Sequence, residues 1–202
     1  IPNTKGGTVN SNITINASPA TKSNVTITII QSANQTIHIY TPYKTGGIDH
    51  TSAFTCPVGT TYEAEIIAKS GYTAGTLNIG ESGTFSNDIT INATAAAIKT
   101  FTLSFGATTN QTYTATVGGS TKAATANATS YTVNYGTKYS VAYTANSATA
   151  AYTYTASSAV SGTVTAATSI PAKSASASLR YYTLTVPATT NQSYTLVLTT
   201  NT

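Results

Sequence analysis

The sequence is short of charge. Only 7% of its 202 residues are Asp, Glu, Lys or Arg, where soluble domains carry about a quarter, so an ordinary enzyme surface is not expected. A single cysteine excludes an internal disulfide framework and any four-thiolate metal site. Met and Trp are absent. No stretch approaches the ~20 apolar residues of a membrane-spanning helix and no basic-then-apolar leader opens the sequence, so no membrane insertion is expected. The formal net charge of +4 comes from nine Lys and Arg against five acids, scattered too thinly to neutralise a row of phosphates. A nucleic-acid partner is therefore not expected. The sequence starts at Ile1 rather than Met, which leaves a removed leader or propeptide and a segment of a longer chain as open alternatives.

What is present favours folding into sheets. Hydrophobic residues make up 40% of the chain and Tyr occurs 14 times, so the high-charge, low-hydrophobicity signature of disorder is missing. Roughly a fifth of the residues are Thr, a β-branched type suited to pleated, half-buried surfaces.

An internal repeat organises the chain. Residues 25–40 read VTITIIQSANQTIHIY, residues 101–116 FTLSFGATTNQTYTAT and residues 182–197 YTLTVPATTNQSYTLV. Each contains an Asn-Gln pair, at Asn34, Asn110 and Asn191. A second anchor matches Gly59 to Gly136 within AFTCPVGTTYEAEI and SYTVNYGTKYSVAY. A third matches GTVNSNITINAS from Gly7 to GTFSNDITINAT from Gly83, with a weaker echo from Ser161. Within each matched stretch the offset is constant, so length changes are expected in connections, where they are tolerated, rather than in strands, where a one-residue slip would turn the apolar set outward.

Period-two alternation fills the matched stretches, as in Val25, Ile27 and Ile29 against Thr26 and Thr28, and reads as half-buried strands. In the first module these are expected near 24–31, 35–42, 51–57, 61–69, 75–80 and 84–93. The fold class is all-β: tandem immunoglobulin-like β-sandwich modules, with β-grasp-like repeats as the alternative. Two complete modules are expected over 24–98 and 99–180. Residues 1–23 read as the closing strand of one partial module and 181–202 as the opening hairpin of another. An orphan hairpin is marginal in water and an unpaired edge is a template for another chain. Both pieces are therefore expected to be completed, by more polypeptide or by a neighbouring subunit.

The chemically active inventory is Asp49, Glu63, Glu65, Glu81, Asp88, His38, His50 and Cys56. A group replaced between modules cannot serve what both modules do, and His38 aligns with Thr114, Cys56 with Val133, Glu63 with Ser140 and Glu65 with Ala142. Cys56 reads as a small buried hydrophobe rather than a nucleophile. Glu63 and Glu65 share a strand face and read as a solvated edge rather than an acid pair. His38, Asp49, His50 and Cys56 match no zinc spacing. The glycines at Gly118 lack the spacing and helix of a phosphate loop and read as a connection. Catalytic, metal and cofactor sites are thus all expected to be absent. Tyr131 and Tyr139 align with Phe54 and Tyr62 as shared core positions, which leaves Tyr152, Tyr154, Tyr181 and Tyr182 as candidate surface aromatic contacts. Asn-X-Ser/Thr sequons stand at Asn12, Asn16, Asn24, Asn34, Asn92, Asn110, Asn127 and Asn191. They reflect either composition or a glycan coat on a secreted protein.

The Thr-Thr-Asn-Gln-Thr turn, the Tyr-Gly-Thr-Lys-Tyr strand entry at Tyr135, the Gly-Tyr-Thr-Ala-Gly-Thr-Leu segment at Gly71 and the closing stretch from Ser82 to Ile91 together resemble tandem immunoglobulin-like repeats of bacteriophage virion proteins and secreted bacterial surface proteins. The resemblance implies a non-catalytic structural subunit of an extracellular, cell-surface or virion-surface fibre, forming a homo-oligomer or polymer through its terminal strands. The alternative is an adhesin module that binds a carbohydrate or a cell-surface receptor.

Overall fold

The computed structural model describes residues 23–188 and, beside them, residues 6–8, 11, 14, 190–193 and 195. The chain divides into two units, Ile1–Lys99 and Thr100–Thr202.

Alternating Val, Ile and Thr start the first unit. In β1 (Asn24–Ile29) Val25 and Ile27 point inward while the Thr residues face out. The strand is followed by β2 (Gln35–Thr41), β3 (Ile48–His50), β4 (Phe54–Pro57), β5 (Thr60–Ala68), β6 (Tyr72–Thr73), β7 (Ser82–Phe85), β8 (Ile89–Ile91) and β9 (Ala97–Ile98). One sheet has the order β4-β1-β8 and the other β3-β2-β5-β7. Strands β1 and β4 run antiparallel, whereas β1 and β8 run parallel with Ile27 opposite Ile89 and Ile29 opposite Ile91. Inward residues of both sheets meet in one core: Val25, Ile27, Cys56 and Ile91 from the first, Ile37, Ile39, Tyr62, Ala64 and Phe85 from the second. This is a β-sandwich.

The second unit repeats the arrangement. It contains β10 (Thr100–Phe105), β11 (Thr108–Thr109), β12 (Gln111–Val117), β13 (Ser120–Thr121), β14 (Thr129–Asn134), β15 (Lys138–Ala145), β16 (Tyr152–Thr155), β17 (Val160–Thr163), β18 (Thr168–Ile170), β19 (Lys173–Ser174) and β20 (Ser176–Leu179). Its sheets have the orders β14-β10-β18 and β13-β12-β15-β17. Again the first strand is parallel to the last strand of its sheet, with Leu103 opposite Thr168 and Phe105 opposite Ile170. Leu103, Phe105, Tyr113, Ala115, Val117, Val141, Val164 and Ile170 form the second core. The fold is all-β, and the described residues contain no helix. Each unit is a sandwich of facing sheets, as the alternation implies.

Residues 181–188, expected as the opening strand of a hairpin, form no strand, and the closing strand expected over 1–23 lies mostly outside the described residues. Three details of the first unit also depart from the expected strands. Ile48–His50, too short to carry a periodic signal, is a strand. Residues 75–80 form no strand, and Leu77 there makes an isolated bridge to Ala93. The stretch 84–93 is two strands on different sheets, β7 and β8, because the chain crosses between sheets at residues 86–88.

The repeat extends to single hydrogen bonds. Asn34 and Asn110 hold φ of 65° and 57°, the left-handed region that Asn tolerates better than other side chains. The Gln that follows each one is buried, although polar. Gln35 Oε1 accepts the Gly75 amide at 2.7 Å and its Nε2 donates to the Thr94 carbonyl at 2.7 Å. Gln111 Oε1 accepts the Ser157 amide at 2.8 Å and its Nε2 donates to Ser157 Oγ at 2.9 Å. Each carboxamide thus fastens the start of a strand to a loop on the opposite side of the sequence. Asn191 has the same left-handed conformation, φ 61°.

Candidate functional site

The units differ on the outer face of the four-stranded sheet. In the first, β2 and β5 pair His38 with Glu65 and Tyr40 with Glu63; at the same register the second unit pairs Thr114 with Ala142 and Thr116 with Ser140. The β2–β3 connection of the first unit spans residues 42–47, whereas β12 and β13 are joined by Gly118 and Gly119 alone. Both of those glycines have positive φ, as a two-residue hairpin turn requires, so they form a connection and not a phosphate loop.

Two carboxylates hold the longer connection. Glu63 Oε2 accepts the Lys44 amide at 2.7 Å. Glu65 pairs with Lys44 Nζ through one oxygen and accepts the Tyr40 hydroxyl at 2.7 Å through the other. The Lys44 ammonium also lies over the Tyr40 ring, 5.7 Å from its centroid. Lys44 and then Tyr40 hold the Glu65 carboxyl below its ordinary range. The hydrogen bond to Glu65, with a smaller contribution from burial, pushes the Tyr40 phenol up to about 12. Together with Ala74, Leu77, Ile79 and Glu81 these residues line an open groove of about 760 Å³. Such a surface can accept hydrogen bonds from, and pair with, a polar or cationic ligand; its carboxylates are already engaged in holding the loop.

The other candidates fall elsewhere. His38 Nδ1 pairs with Asp49 at 2.9 Å. His50 turns to Thr41 Oγ1 at 2.9 Å and stacks on Phe54 with centroids 3.7 Å apart, and burial lowers its pKa. Cys56 is buried opposite Val25. The four residues considered as ligands therefore do not converge, and among the described residues no group of three or more His, Cys, Asp or Glu could hold a metal. Asp88 Oδ1 accepts the Thr26 amide at 2.7 Å. Tyr131 and Tyr139 pack against the second core. Tyr152, Tyr181 and Tyr182 are exposed, while Tyr154 is half-buried on β16. Tyr182 donates to the Ala150 carbonyl at 3.0 Å and lies under the Arg180 guanidinium.

Among the sequons, Asn24, Asn92, Asn127 and Asn191 are exposed and Asn34 and Asn110 half-buried in their turns; Asn12 and Asn16 lie outside the described residues. Tyr40 and Lys44 were not legible as site residues, since Tyr40 aligns with a Thr and Lys44 sits in a connection with no counterpart. The buried Gln pair could have been found from its threefold recurrence.

No protein-family model matches the chain, and no curated protein matches it. Among solved structures it is similar to the Bacillus anthracis TIE protein, at 16% identity and a TM-score of 0.41 over 77% of this chain and 34% of that one. The chain thus spans about a third of the length of that structure.

Proposed function

We infer that the chain is a non-enzymatic structural subunit of an extracellular or virion-surface fibre, built from tandem immunoglobulin-like modules and extended by strand pairing between copies. One observation carries this reading. Residues 182–186 repeat the sequence of β1 and β10, yet Leu184 is 61% and Val186 45% exposed where their equivalents Leu103 and Phe105 are 0% and 2% exposed. An alternating apolar row that the fold buries twice is left open the third time, and such a row is a template for an incoming strand. The Thr- and Ser-rich, sparsely charged exterior suits side-by-side packing of copies. Electron microscopy and light scattering of the purified chain are expected to reveal concentration-dependent polymers, lost on Leu184→Asp. A chain that stays monomeric at every concentration overturns the reading.

A second reading, an adhesin module that binds a carbohydrate or receptor, is favoured by the polar groove on the first unit. Glycan-array binding abolished by Lys44→Ala supports it; binding abolished only by Tyr152→Ala moves the contact to the second unit.

A further inference from the structure

In the first unit the four-stranded sheet loses its outermost strand part-way along. Strand β7 pairs with β5 only from Thr60 to Glu63, although β5 runs on to Ala68. Beyond that point the alternation of an antiparallel ladder fixes where each peptide group points. Ile37, opposite Ile66, spends its amide and carbonyl on the Gln31 side chain. It therefore faces away from β5, and Ile66 in turn faces away from β2. Ala64, on the same side two residues earlier, donates its amide to the Glu81 carbonyl at 2.7 Å. The chain upstream of Glu81 belongs to the other sheet's side, where Asn78 donates to the Asn92 carbonyl and Thr94 to the Thr76 carbonyl. The Ala64 carbonyl and both the amide and the carbonyl of Ile66 thus have no hydrogen-bond partner among the described residues. These residues border the groove of about 760 Å³.

The two sides of this open edge differ in chemistry. On the interior side Leu77 and Ile79 pack against the first core. On the outer face stand Glu63 and Glu65, and Glu81 is exposed beside them. These are all the glutamates of the chain, and Lys44 is the one cation among the lining residues. At the equivalent positions the second unit has Ser140, Ala142 and Val160, so the charge serves something that the first unit does by itself.

We propose that this edge receives an extended segment of a partner protein in which apolar residues alternate with Lys or Arg. The segment adds a strand beside residues 64–66, in line with β7, and pairs its main chain with Ala64 and Ile66. Side chains of a strand alternate between faces, so its apolar residues descend onto Leu77 and Ile79 while its cations stand over Glu63, Glu65 and Glu81. Main-chain bonds hold the segment and the carboxylates select its sequence. The proposal is independent of the fibre reading; it rests on the second reading for its groove and commits that groove to a peptide.

Peptide binding to the full chain tests it. An immobilised array of nonapeptides carries Val at alternate positions with the others varied, and the inference expects Lys and Arg to be enriched at the varied positions. A soluble nonapeptide of alternating Val and Lys should bind, should slow hydrogen exchange at the Ile66 amide as followed by NMR, and should lose binding when its own amides are N-methylated. Glu81→Gln, a change at an exposed side chain, should weaken binding about two- to five-fold, as expected for one exposed ion pair, and added salt should weaken it further. A Val/Glu peptide that binds as tightly as the Val/Lys peptide, or binding that leaves Ile66 exchange unchanged, overturns the inference. A glycan bound and lost on Lys44→Ala, with no peptide bound, overturns it while leaving the adhesin reading standing; binding of neither probe overturns both.

Discussion

At the scale of single residues, the polar side chains here chiefly hold backbone. Glu65 is the clearest case, since it clamps the 42–47 connection through Lys44 and fixes the Tyr40 hydroxyl. Its lowered pKa means that its contribution is present above the ordinary 4.5 and is lost as pH falls through the lowered value. Tyr40 runs the other way: its contribution is intact below the ordinary 10.0 and is lost as pH rises toward about 12. Glu65→Gln is expected to bring the Tyr40 titration down toward 10.0, read as tyrosinate absorbance against a Tyr40→Phe control. The left-handed asparagines give a second prediction. Asn110→Ala should cost about 1–2 kcal/mol in urea unfolding, because an ordinary side chain resists that conformation, whereas Asn110→Gly should be nearly neutral.

At the scale of elements, a tyrosine covers a glycine on the neighbouring strand in both units. Tyr62 lies opposite Gly83 and Tyr139 opposite Gly162. A Cβ on Gly162 would stand 2.7 Å from the Tyr139 hydroxyl oxygen and 2.9 Å from its Cζ. Gly162→Ala is therefore expected to destabilise the second unit by about 1–3 kcal/mol through overpacking, with part of that loss relieved in the Tyr139→Ala background, as a double-mutant cycle would measure. Strands that present one face to a core were legible from alternation, as β1, β2, β12 and β15 illustrate. Strands of two or three residues, such as β3, were not, because so short a run contains no period. The break between β7 and β8 escaped for a related reason: Phe85 and Ile91 are both inward, on different sheets, so the apolar pattern reads through the crossing. Glu63 and Glu65 do share one face, but of β5, a strand set between β2 and β7 and not a solvated edge, and their shared partner Lys44 comes from a connection whose shape no pattern encodes.

At the scale of the whole molecule, the shortage of charge bears on the proposed association between copies. With nine basic and five acidic residues in the chain, and an exposed row at Leu184 and Val186 as the proposed contact, assembly should not weaken with salt. Light-scattering measurements from dilute buffer to about 1 M salt, where the Debye length is about 3 Å, are expected to yield equal or stronger association; a steep loss would point to ion pairs instead. The two units also distribute their connecting residues differently. The first spends length on the 42–47 tip and has only residues 51–53 between β3 and β4, while the second turns tightly at Gly118 and Gly119 and takes up length at residues 122–128. Slack moves from one side of a short strand to the other while the flanking ladders stay in step. A tandem array built this way can vary its ornament from repeat to repeat without retuning the interior, and mutational tolerance should accordingly be greater at residues 122–128 than at 42–47, where Glu63 and Glu65 hold Lys44.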